Sequence, residues 1–175
     1  MKKNYLSLLF LFFLFSVLAQ QVSVPNHEFY KPMIYNPAFT GNGEYTNAMI
    51  ISRSQWIDFK NAPQLNLFTL DGMLPNNKMG LGINLYSDKK GISNKIGGNI
   101  SYSYQLLFND YTKLKFGIAL GMMNHTLQYS TAVIEDASDP NLTGTGQKET
   151  SINGNAGLGF VWKKLELGVS VPQLL

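Results

Sequence analysis

The feature that most constrains this chain is a period of two that recurs for most of its length. In "KIGGNISYSYQLLF", Ile96, Gly98, Ile100, Tyr102, Tyr104, Leu106 and Phe108 share one face, against Gly97, Asn99, Ser101, Ser103, Gln105 and Leu107 on the other. "KLKFGIALGMM" sets Leu114, Phe116, Ile118, Leu120 and Met122 against Lys113, Lys115, Gly117, Ala119, Gly121 and Met123. "SINGNAGLGFVW" and "KLELGVSV" repeat the scheme. Alternation of this kind is the signature of β-strands, whose successive side chains point to opposite faces. One face is apolar and bulky, and the other is small or polar with few charges. A soluble sandwich or lipocalin-like barrel needs a charged outer face, and neither face here supplies one. A β-barrel with its bulky face in lipid and its polar face on a wet lumen accounts for both.

Seven strands are expected, at about 45–53, 62–72, 79–87, 93–108, 113–129, 150–163 and 165–172. "SQWIDFKN", "DKKGI" and "STAVIEDASDPNLTGTGQKE" read as the longer connections, and "LPNNK", "NDYT" and the "KK" pair as the shorter ones. Long loops at one end and short turns at the other mark a transmembrane barrel. Tyr86, Phe108, Tyr111, Tyr129 and Trp162 read as girdle aromatics. Single-chain outer-membrane barrels have an even strand number, so seven strands read as about half of a larger barrel and the chain as truncated. The fold class is therefore all-β, a transmembrane antiparallel barrel of the outer-membrane type.

Composition agrees. Charged residues are 14% of the chain, against roughly 25% in soluble domains, and aromatics reach 13%. The net charge of +3 includes Lys2 and Lys3, leaving about +1 without them. That balance argues against a nucleic-acid partner. "MKKNYLSLLFLFFLFSVLAQQ" has the charged start, the apolar stretch of thirteen residues from Leu6 to Leu18 and the small-residue cut of a secretory signal. Cleavage is expected after Ala19. The expected divisions are 1–19 as signal peptide, 20–44 as a periplasmic or plug segment and 45–175 as partial barrel. The chain has no cysteine, so neither a disulfide nor a thiolate metal site is available.

No catalytic, cofactor or metal signature stands out. His27 and His125 have no second histidine or carboxylate at ligand spacing. Ser101, Ser103 and His125 approach one another only if neighbouring strands bring them together, which for one histidine among many serines is a coincidence of composition. Glu135, Asp136 and Asp139 do not match an EF-hand loop. Two motifs remain. "YNPAFTG" reads as a turn leading into the first strand, and "RSQW" places Arg53, the only arginine, and Trp56 where that strand becomes its loop. A rim arginine with a girdle tryptophan explains the second motif as well as any functional reading does.

The ordered set of motifs resembles the PorP/SprF family of type IX secretion system membrane proteins. It comprises Asn36, Pro37, Ala38 and Gly41, then Arg53, Gln55 and Trp56, then Ala62-Pro63, Gly80 and Gly82, Asp88 and Gly91, and "SYSYQL". The resemblance implies an outer-membrane barrel without enzymatic activity. It implies support for secretion or surface attachment of type IX cargo such as gliding adhesins, through their C-terminal signal domains, with other machine components and the lipid bilayer as partners. Members usually run to about twice this length. Asn36, Pro37, Ala38, Gly41, Arg53, Gln55, Trp56, Pro63, Asp88 and Gly91 are the candidate structural or partner-contact residues. A passive porin is the alternative, and it requires opposed charged rows in the lumen, whereas the faces read from the sequence are nearly uncharged.

Overall fold

The computed structural model describes residues 31–59, 61–128, 146–172 and 174. Seven antiparallel strands form one sheet in the order of the chain: β1 (Asn47–Ser54), β2 (Gln64–Met73), β3 (Met79–Lys90), β4 (Ser93–Asn109), β5 (Thr112–Leu127), β6 (Gln147–Trp162) and β7 (Leu165–Val171). The sheet curls into a half-barrel. β1 and β7 are its two edges. The expected strand count and order hold, with ends displaced by up to three residues. No helix among the described residues is long and apolar enough to cross a membrane, which leaves crossing by strands untouched.

Burial on this sheet is the reverse of a soluble domain's. The buried side chains include Thr69, Asp71, Asn84, Asp88, Ser101, Ser103, Gln105 and Lys115. Ile83, Leu85, Ile100, Ile118, Leu120, Leu158, Leu167 and Val169 are exposed. The polar set lies on the inner face and the apolar set on the outer. An exposed apolar area of this extent is untenable in water but is what lipid requires.

The two ends of the strands differ. At one end the links are short, and backbone geometry explains each. Residues 74–78 join β2 to β3, with Asn76 Oδ1 accepting from the amides of Lys78 and Met79 at 3.0 and 3.1 Å. Asp110-Tyr111 joins β4 to β5, where Tyr111 N donates to Asn109 Oδ1 at 3.0 Å. Lys163-Lys164 joins β6 to β7, with Lys163 at φ 54°. This end is called the turn end below, and the opposite one the loop end. The loop end carries residues 55–63 between β1 and β2, and there β5 ends at Leu127 and β6 begins at Gln147. Its third link departs from expectation. "DKKGI" was expected among the longer connections, but β3 runs to Lys90 and β4 restarts at Ser93. Only Gly91 and Ile92 remain, with Gly91 at φ 60°, a left-handed turn position that suits glycine.

Phe108, Tyr111 and Trp162 are exposed at the turn end, where a girdle belongs. Tyr86 is not a girdle residue. It shares the inner face of β3 with Asn84 and Asp88, and a Cβ on Gly97 of β4 would overlap its hydroxyl. Tyr129, the acidic group Glu135, Asp136 and Asp139, His27 and the proposed leader lie outside the described residues.

Candidate functional site

Residues 31–42 lie on the inner face and touch six of the seven strands. Pro32–Ile34 and Pro37–Phe39 form two single-turn 3-10 helices, each opened by proline at its first position, where a missing amide is harmless. Asn36 is the hinge between them. Its Oδ1 accepts from Ala38 N at 2.9 Å, capping the second turn. Its Nδ2 donates to Leu158 O of β6 at 2.9 Å and to Val169 O of β7 at 3.3 Å. One side chain thus fixes the turn and joins it to two strands.

The rest of the segment is anchored strand by strand. Gly41, at φ 67°, donates its amide to Asp71 Oδ2 of β2 at 2.8 Å. Lys31 forms an ion pair with the other oxygen of that carboxylate. On β4, Ser101 Oγ accepts from Thr40 Oγ1 at 3.0 Å, and Ser103 Oγ donates to Thr40 O at 2.6 Å. Lys115 of β5 donates to Asn42 Oδ1 and lies 5.8 Å from the centre of the Phe39 ring. Asn42 Nδ2 donates to Glu166 of β7 at 3.2 Å.

Close approach explains the glycine content of this face. A Cβ on Gly117 would overlap the backbone of Pro37 and Ala38, one on Gly157 would overlap Asn36 Oδ1, and one on Gly80 the carbonyl of Thr40. Gly159 and Gly168 leave room for the Phe39 ring. The small face expected to line a wet lumen is here a fitted seat.

The ten candidate residues therefore divide. Asn36, Pro37, Ala38 and Gly41 form the seated turn. Arg53, Gln55, Trp56, Pro63, Asp88 and Gly91 lie toward the loop end and are held mainly by backbone. Gln55 N donates to Pro63 O at 3.0 Å, closing the β1–β2 loop at its base. Gly91 N donates to Asn61 O at 3.2 Å, tying the β3–β4 turn to that loop. Trp56 is exposed with φ 53°, a strained backbone for a bulky side chain. Asp88 is buried within β3 rather than in a loop, and Lys90 Nζ donates to its Oδ2 at 2.9 Å.

Arg53 is on the inner face of β1, in a register row that continues Leu65, Asp88, Lys95, His125 and Glu149 across β2 to β6. The expectation of nearly uncharged faces thus fails at this end. Five of six strands place a titratable or charged group in one inner row. Each sits near the end of a different strand, so only the register reveals them as neighbours. Ser101 and Ser103 are not brought to His125. Ala119 is the register partner of Ser101, and His125, six residues further, is roughly 20 Å along the strand. His125 Nε2 instead pairs with Ser93 Oγ at 2.9 Å. Sequence reasoning missed Asp71, Lys31, Asn42 and Glu166 as partners of the seat. Their only signal was a charged or amide side chain on a face that is otherwise small.

A family model described as "Type IX secretion system membrane protein PorP/SprF" matches residues 17–175. The chain belongs to the PorP/SprF family. No curated protein and no solved structure matches it. PorP/SprF membership makes this a membrane protein of a type IX secretion system, in keeping with an all-β sheet that buries its polar side chains and exposes its apolar ones.

Proposed function

We propose that the chain forms part of an outer-membrane barrel that supports export or surface attachment of type IX cargo, including adhesins recognised through a C-terminal signal domain. The observation that carries this reading is the inverted burial of the sheet together with the segment seated on its inner face. A lumen occupied by residues 31–42 suits a docking and support role better than free solute passage. The amino-terminal leader directs export and is removed after Ala19. The turn end then faces the periplasm and the loop end the exterior, so the inner charged row meets cargo. The test is paired epitope insertion at Asp58 and at Asn77 in cells that display the cargo. The Asp58 epitope is expected to bind antibody on intact cells, and the Asn77 epitope only after permeabilisation. The opposite labelling overturns this orientation.

One observation favours a second reading, a small-solute channel. The row of Arg53, Asp88, Lys95, His125 and Glu149 has the opposed charges that a selective constriction uses. Conductance in planar bilayers separates the two. The docking reading expects wild-type protein to be silent and deletion of residues 31–42 to open a conductance, whereas a wild-type conductance with ion selectivity favours the channel.

A further inference from the structure

We infer that the outer surface at the loop end carries a binding pocket for an anionic lipid headgroup, built by the ends of β1 to β3 and the β1–β2 loop. A cavity of about 210 Å³ lies there, lined by Ser54, Ile57, Phe59, Ala62, Gln64 and Lys89 among others. Ser54, Gln64 and Lys89 are register partners on the outer face of three adjacent strands. The loop places the apolar side chains of Ile57 and Phe59 against them. Among the described residues no carboxylate lies within ion-pair distance of Lys89. The pocket thus offers, among the described residues, one uncompensated cation, a hydroxyl and two amide side chains beside an apolar wall.

Its height on the sheet identifies the occupant. The last apolar row of the outer face on these strands is Ile50, Phe68 and Leu85. The next row is Ser52, Asn66 and Ser87, and the pocket row of Ser54, Gln64 and Lys89 follows. The same change recurs on β5 and β6, where Asn124 and Thr150, then Thr126 and Lys148, stand beyond Met122 and Ile152, while on β4 the apolar side chains reach one row further, to Ile96. Two steps of two residues are about 13 Å along a strand, or roughly 10 Å in height at the usual barrel tilt. That is the polar zone bordering the hydrocarbon core. Trp56, Ile57 and Phe59 are 71%, 81% and 72% exposed, and aromatic residues are enriched at this depth. A lysine there meets lipid phosphate, for which it is a point-charge partner. Trp56 and Lys89 are thereby assigned to lipid rather than to cargo.

The inference rests on the outer face meeting lipid, and single-tryptophan variants read that premise separately. The protein is refolded into phosphatidylcholine vesicles containing brominated lipids, once as Trp162→Phe to leave Trp56 and once as Trp56→Phe to leave Trp162. Both tryptophans are expected to be quenched, Trp56 most strongly by bromine placed near the headgroup. Quenching of Trp162 alone overturns the pocket, makes the loop a protein-docking tip and leaves the barrel standing. Quenching of neither overturns both. Native mass spectrometry from mixed phosphatidylcholine and phosphatidylglycerol vesicles then counts retained lipids. Lys89→Gln is expected to lower the retained ratio of anionic to neutral lipid about fivefold, while Lys95→Gln, on the inner face, leaves it unchanged. An equal loss in both variants, or none in Lys89→Gln, contradicts the site. Displacement of the lipid by inorganic phosphate alone also contradicts it, because the site would then be one for free anions.

Discussion

The seat of residues 31–42 and the loop of residues 55–63 are held by opposite means. The seat is side-chain chemistry: one asparagine bonded to two strands, one carboxylate shared by Lys31 and Gly41, and glycines cut away beneath a proline turn. The loop is closed by single backbone hydrogen bonds and leaves its largest side chains exposed. The difference separates two motifs that look equivalent in the sequence. "NPAFTG" belongs to the packing of the barrel interior, so its residues constrain one another. "RSQW" runs from the exposed end of β1 into the loop, where Trp56 adopts a strained backbone that packing does not require.

This contrast orders the effects of substitution. Asp71→Ala removes the partner of a buried lysine and the acceptor of the Gly41 amide. Breaking a buried ion pair from one side costs about 3–5 kcal/mol, and the denaturation midpoint in detergent is expected to fall accordingly. A loss below about 1 kcal/mol would mean that Lys31 finds water and that the seat is not closed there. Gly117→Ala comes next. The added Cβ collides with main chain, which cannot rotate away as a side chain does, and overpacking costs about 1–3 kcal/mol. Limited proteolysis between residues 31 and 43 is expected to become faster, while proteolysis at residues 55–63 stays as in the wild type. Equal acceleration at both places would erase the proposed division.

How much of this was legible in the sequence follows from what each feature depends on. Strand number, order and facing rest on a local period, and "KIGGNISYSYQLLF" alone displays it. Even the error over Tyr86 was avoidable, because Leu81, Ile83 and Leu85 already fix the outward phase of β3 and put an even-numbered neighbour inside. The seat was not legible. It joins Asn36 to Val169, 133 residues apart, and glycines spaced for close approach look identical to glycines that merely line a lumen. The inner charged row was hidden for a related reason, since it depends on the register of six strands.

The smaller effects lie at the loop end. Trp56→Gly relieves a left-handed backbone at a bulky residue, a strain of order 1 kcal/mol. Since glycine also has more freedom to lose on folding, the expected change in stability is within about 1 kcal/mol of zero. A large destabilisation would show that the indole is packed, contrary to its exposure. Arg53→Lys keeps the charge in the inner row and is expected to move stability by less than about 0.5 kcal/mol, as surface changes do. A drop in surface cargo at unchanged stability would assign the arginine's planar fork to cargo.

The central claim is that this sheet is inside out, and the absence of cysteine allows a direct reading of it. Single cysteines at Leu120, on the outer face of β5, and Asn99, on the inner face of β4, can carry nitroxide labels in the vesicle-inserted protein. The label at residue 120 is expected to be relaxed strongly by oxygen, which concentrates in lipid, and weakly by a polar nickel chelate. The label at residue 99 should show the lower oxygen response and the higher ratio of chelate to oxygen. Strong chelate relaxation at 120 with an oxygen-rich environment at 99 would make this a soluble sheet with an apolar interior and would contradict the account.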